Sequence, residues 1–149
     1  MATTGNAEDT AHLTIQEVSR LSGLSEPTLR YYEKIGLIDA VDRDATSGHR
    51  RYGPAVVEKV EALACLRSSG MSVKDMRAYL RHLDTRDASQ LHELFQRNAE
   101  RVAGEIERLR VRLRYLRLKA DMWAARDRDD ASAEHRAITE IMPVILEMR

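Results

Sequence analysis

The chain has 149 residues, 43% hydrophobic, 5% aromatic and 32% charged, a balance that suits helices with wide solvated faces in one or two small domains rather than a large sheet. Its 24 basic and 24 acidic side chains cancel, so nucleic-acid binding has to be argued from local clusters. The single cysteine, Cys65, excludes an internal disulfide and any multi-cysteine metal centre, and no apolar run approaches the roughly 20 residues of a membrane span.

Residues 1–12 read as a disordered, polar tail without a signal-peptide pattern, which leads to the expectation of a cytoplasmic protein. Thr14 and Glu17 form a capping box for a first helix, Ile15–Ser22, with Ile15, Val18 and Leu21 at helical spacing. Gly23-Leu24 is a turn. Ser25 caps a second helix with Pro27 in its first turn, and Gly36 ends it. Two short helices joined by a glycine-bearing turn make a helix-turn-helix.

The stretch "TLRYYEKIGLI" sets two tyrosines side by side behind an arginine. Neighbouring helical positions point about 100° apart, so one core face takes one ring comfortably. Leu29 and Tyr32 are expected to face inward, Tyr32 keeping its hydroxyl near the backbone. Thr28, Arg30 and Tyr31 then face outward, where arginine and hydroxyl groups suit phosphate and arginine suits a guanine edge.

"DAVDRDATSGHRRYG" loses the helical stripe, and Thr46-Ser47-Gly48 is turn chemistry. A hairpin is expected, with strands near Ala40–Arg43 and His49–Tyr52. It carries Arg43, His49, Arg50, Arg51 and Tyr52, the densest basic cluster of the folded first half. Beside a helix-turn-helix, such a hairpin is a wing. Pro54 opens a third helix with Val57, Val60, Leu63, Ala64 and Leu66 inward, and Gly70 stops it. Ser72 and Asp75 start a fourth helix through Leu83.

Asp87 and Gln90 start a fifth helix expected to span 88–125. Its "RLRVRLRYLRLK" alternates like a strand, but Ile106, Leu109, Leu113, Leu116, Ala120 and Trp123 recur at spacings of 3, 4, 3, 4 and 3. That is a heptad seam, extended upstream by Val102 after a stutter. A helix of about 38 residues is roughly 57 Å long and cannot bury its stripe in so small a domain. It needs a partner, and its arginines lie on the solvated face. Residues 126–133 read as a polar break. A last amphipathic segment follows, kinked or split at Pro143.

"LTIQEVSRLSGLSEPTLRYYEKIGLI", then "SGHRRYGPAVVEKVEALACLRSSGMSVKDM", then the long helix, resembles the MerR family of bacterial transcriptional regulators from about Leu13 to Trp123. The resemblance implies a mainly α fold. A winged helix-turn-helix DNA-binding domain with two following helices would occupy 13–84, and an antiparallel coiled-coil dimerisation helix 85–125. A short helical segment, 126–149, is a possible effector region. It implies a nucleoid-associated homodimer that binds double-stranded promoter DNA, distorts the spacer and so acts on RNA polymerase in response to a small molecule or stress signal. Arg30 and the tyrosines match the family's contacting helix, Arg43 and Arg50 its wing arginines, and Tyr52 a wing tyrosine. Val41 and His49 depart from the proline and tyrosine common at those places.

Two sensing elements are considered. "ACLRSSGMSVKDMRAYL" is similar to the aldehyde- and thiol-stress subgroup, whose cysteine falls at Cys65; the helical stripe, however, puts Cys65 at least half buried, and inert packing is the plainer reading. An apolar effector pocket among Tyr115, Met122, Trp123, Ile138, Ile141, Met142 and Ile145 is weighed against plain docking of the last segment. The five histidines show no paired spacing of a zinc site, and no metal or other cofactor is expected. No nucleophile–base pair or phosphate-cradling glycine loop points to an enzyme. The alternative to a regulator is a coiled-coil adaptor without DNA binding.

Overall fold

The computed structural model describes residues 12–149, so the tail expected over 1–12 lies, apart from His12, outside the described residues. Six helices and one hairpin follow in order: α1 Ile15–Ser22, α2 Glu26–Lys34, β1 Asp42–Arg43, β2 Arg50–Arg51, α3 Pro54–Ser68, α4 Val73–Asp84, α5 Ala88–Asp127 and α6 Ala131–Glu147. The chain forms two compact units, divided within α5 between Leu94 and Phe95. No helix among the described residues is long and apolar enough to cross a membrane.

In the first unit, local chemistry sets the helix ends. Thr14 Oγ1 accepts from the Glu17 N–H at 3.2 Å, and the Glu17 carboxylate accepts from the Thr14 N–H at 2.8 Å, so both halves of the capping box form. Gly23 ends α1 at φ +76°, a left-handed conformation that costs a residue without Cβ nothing. Ser25 caps α2 and Ser72 caps α4, each side chain accepting a backbone N–H three residues on. Val18, Leu29, Tyr32, Leu37, Tyr52, Val60, Leu63 and Met76 fill a common core.

The wing is shorter than expected. The strands near Ala40–Arg43 and His49–Tyr52 shrink to two residues each, with Asp42 opposite Arg51 and Arg43 opposite Arg50. Tyr52 leaves the hairpin to pair with Leu13, their N–H and C=O groups exchanging two bonds of 2.8 Å in an antiparallel bridge. That bridge ties the segment before α1 to the base of the wing. At the tip, Asp44 Oδ1 accepts from Thr46 N and Ser47 N at 2.9 Å each. Those two N–H groups hold the Asp44 carboxyl below the usual carboxylate range.

In the second unit α5 and α6 pair through Met122, Ala137 and Ile141, with Tyr115, Leu118 and Ile145 against them. Arg114–Glu147 and Arg126–Glu134 ion pairs flank that contact. Other arginines of α5 pair along their own helix, Arg101 with Glu105 at 2.8 Å and Arg110 with Glu107. Helix α5 outruns the expected 125 by one turn's fraction, to Asp127, and the polar break narrows to the residues around Asp129, which sits at φ +57°. Pro143 does not split α6: the helix runs unbroken from Ala131 to Glu147. Pro143 lies on the exposed side, where water can reach the carbonyl four residues back that loses its intrahelical donor.

Candidate nucleic-acid interface

Helix α2 resolves the paired tyrosines. Tyr32 is 3% exposed and packs with Leu29 and Leu37, whereas Tyr31 is 50% exposed. Their ring centroids stand 6.2 Å apart. Arg30 is on the exposed side, 3.7 Å from Glu26 one turn back. An exposed pair of that kind is weak and screened, so it does little to hold the Arg30 guanidinium in place. Thr28 is less available than expected. Its hydroxyl lies 2.8 Å from Ser25 Oγ and accepts from Arg67 Nη1 at 2.9 Å, a bond between α2 and α3.

The wing brings its cations to the same side. Arg30, Arg43, His49 and Arg50 line one open groove of about 360 Å³, with Thr14, Ile15 and Gln16 at the N-terminal end of α1 along its wall. Arg43 donates from Nη1 to the Gly48 carbonyl at 3.2 Å, and Arg51 stands 3.9 Å from Asp44. Arg50 is half-buried and donates from Nε to Glu33 Oε2 at 2.7 Å. Sequence reasoning missed Glu33 and the start of α1. Glu33 lies one turn beyond Arg30 on a basic helix, a visible signal, but its partner 17 residues away is a tertiary fact.

Tyr52 corrects the expectation most sharply. It is fully buried, and its hydroxyl meets no hydrogen-bond partner among the described residues. Burial pushes its phenol above the usual value, with the Glu33 carboxylate adding to the shift. In this conformation the ring is core, not wing surface. Tyr52→Phe is therefore expected to leave thermal stability unchanged or raise it by up to about 1 kcal/mol, since it removes an unsatisfied buried group. A clear drop in the unfolding midpoint would show that the hydroxyl is bonded.

The sensing expectations also change. Cys65 is exposed, beside Leu21, Ser22, Glu61, Ala64 and Ser68, rather than half buried. It sits two positions past buried Leu63, about 200° around the helix, so it points away from the core. Of the seven residues expected to line an apolar pocket, Tyr115, Met122, Ile141 and Ile145 pack on one another in the α5–α6 contact. Trp123, Ile138 and Met142 are exposed, at 55%, 41% and 60%. Ala137 and Val144 take the buried stripe of α6 instead, and the guanidinium of Arg126 covers the Trp123 ring at 4.6 Å.

A helix-turn-helix whose second helix and hairpin converge on one basic groove is the arrangement that the MerR helix-turn-helix regulatory family matches over residues 13–83. Residues 13–83 thus resemble the helix-turn-helix domain of that family. The HTH-type transcriptional regulator AdhR of Bacillus subtilis is 37% identical over 67 residues, 45% of this chain and 47% of that protein. The nodulation protein NolA of Bradyrhizobium sp. is 29% identical over 132 residues, 87% of this chain and 53% of that protein. The chain thus spans about half the length of these curated relatives. Among solved structures, that of HiNmlR, a MerR family regulator lacking the sensor domain and bound to promoter DNA, superposes with a TM-score of 0.66 at 27% identity. It covers 83% of this chain and 95% of that one.

Proposed function

We propose that this chain is a promoter-binding transcriptional regulator of the MerR family that works as a homodimer. The observation that carries the reading is the groove where Arg30 of α2 meets Arg43, His49 and Arg50 of the wing. Helix α2 enters the major groove with Arg30 and Tyr31 foremost, and the wing arginines grip the backbone on one side. Thr28 supports α2 through Arg67, and Tyr32 and Tyr52 support it from the core. The likeness to HiNmlR, which was solved on promoter DNA, supports the reading. On the dimeric site the protein distorts the spacer between promoter elements and so acts through RNA polymerase. The seam of α5, Val102, Ile106, Leu109, Leu113, Leu116 and Ala120, joins the two copies.

Footprinting on the DNA upstream of the protein's own gene, with binding followed against salt, tests this. Six to ten phosphate contacts per bound protein give a slope of about −5 to −9 in log affinity against log salt. Arg30→Ala is expected to weaken binding about tenfold or more with the melting temperature unchanged, because the lost surface pair contributes little to folding. A flat salt response, or an Arg30→Ala protein that binds as the parent does, would leave the coiled-coil adaptor as the better reading. Repeating the footprint with an aldehyde, a thiol oxidant or an apolar drug, against Cys65→Ser, identifies the class of effector. Exposure of Cys65 favours including the thiol reagents.

A further inference from the structure

A carboxylate bonded to an arginine of a phosphate-binding groove opposes the ligand unless it does something else there. Glu33, in the last turn of α2, is such a group, and it is mostly covered: its side chain is 16% exposed and that of Arg50 is 22%. Each of its oxygens meets a different part of the wing. Oε2 takes the N–H from Arg50 Nε at 2.7 Å, at the first residue of β2, and Oε1 takes the N–H of Val41, just before β1, at 3.4 Å. One side chain of α2 therefore holds β2 and the residue that leads into β1.

The wing needs such a grip. Its two strands are two residues each, and an isolated hairpin of ordinary length is already marginal in water. The Leu13–Tyr52 bridge fixes the end of the wing toward α3. Asp44 orders the tip from within the wing, through Thr46, Ser47 and Arg51. Between those points the Glu33 carboxylate joins α2 to both arms of the wing, beside the packing of buried Val41 in the core. A guanidinium held at Nε keeps the donors of its two terminal nitrogens, so Arg50 serves Glu33 and the groove at once.

Resting on the DNA-binding reading above, we infer that Glu33 is a positioning residue of that face. It holds Arg50 and the entry to β1 so that α2 and the wing present their cations to one duplex. The sign of its effect sets this apart from simple electrostatics. Removing a negative charge from a DNA-binding surface strengthens binding by charge alone. Removing a positioning residue weakens it.

Glu33→Gln keeps the length of the side chain but offers a single acceptor oxygen to two donors. Binding is measured by fluorescence anisotropy on a random-sequence duplex of about four helical turns, for the parent, Glu33→Gln, Arg50→Ala and the double variant. Glu33→Gln is expected to bind about five- to tenfold more weakly than the parent. In the Arg50→Ala background it is expected to cost nothing, or to bind slightly tighter, because its route of action is gone. Equal or tighter binding by the single variant, or the same loss in both backgrounds, overturns the inference. Failure of the parent itself to bind the duplex with a steep salt response overturns the DNA-binding reading instead, and the inference falls with it. If circular dichroism shows Glu33→Gln unfolded at the assay temperature, Glu33→Asp takes its place. Its carboxylate, drawn back by one methylene, reaches one partner only and is expected to show the same background-dependent loss.

Discussion

A chain carrying Leu109→Glu and Leu116→Glu is expected to sediment as a monomer and to bind its operator about a hundredfold or more weakly, with its helical content intact. The two leucines are 58% and 62% exposed in the single chain, so their replacement removes little packing within it. Ile106 and Leu113 of the same seam are exposed as well. A contiguous exposed stripe of this kind marks a contact with a partner, and a second copy has the matching stripe. The other face of α5 is already used, by Tyr115, Leu118 and Met122 against α6, which is why those positions are left alone in the experiment. Four carboxylates brought onto one paired seam must be desolvated or drawn out of it toward the neighbouring arginines, and either course opposes the pairing. Once the copies separate, each reading head binds alone and the roughly 10²- to 10⁴-fold gain of a linked pair is lost. An unchanged sedimentation coefficient would place the dimer contact elsewhere. A monomer that keeps full operator affinity would remove the requirement for two heads.

The features that the sequence revealed correctly are the local ones. Thr14 with Glu17, Ser25, Ser72 and Asp87 with Gln90 each act within three residues, so their pattern in the chain is their geometry in space. The helix order followed from those caps and from the glycine stops. Facing was legible where a stripe was unambiguous, as with Leu29 and Tyr32 against Arg30 and Tyr31. It failed where residue type stood in for angle. The helical stripe puts Cys65 at least half buried, between buried Ala64 and Leu66, although its own direction is opposite to Leu63. In α6 the large residues Ile138 and Met142 were chosen over Ala137 and Val144, yet the smaller pair lies on the stripe centred at Ile141. Tyr52 was placed on the wing because it ends a basic run; its bridge to Leu13, which turns the ring inward, joins positions 39 residues apart and leaves no local mark. The pairing of Glu33 with Arg50 and of Arg67 with Thr28 is hidden for the same reason.

The adjacent positions 29 and 30 separate folding from recognition. Leu29 has no exposed surface and packs with Val18, Tyr32, Leu37 and Leu63. Leu29→Ala is expected to destabilise the first unit by about 2–5 kcal/mol, the transfer loss of the missing carbons plus the cavity they leave. For a unit of this size that corresponds to a fall in melting temperature of more than about 10 °C. The loss reaches function through α2 itself. A nine-residue helix is too short to hold its own conformation in water, so it depends on the packing of this stripe. DNA affinity should therefore decay with temperature in Leu29→Ala, in step with the unfolding curve, and recover near the parent's value on cooling. Arg30→Ala should do the reverse, losing affinity at every temperature while melting with the parent. Both are best compared at one protein concentration, because the proposed dimerisation would make the melting point depend on it. A Leu29→Ala protein that melts within a degree or two of the parent would mean that the core about α2 is not closed as described. An Arg30→Ala protein that lost stability as Leu29→Ala does would mean that the arginine is a structural prop rather than a reader of DNA.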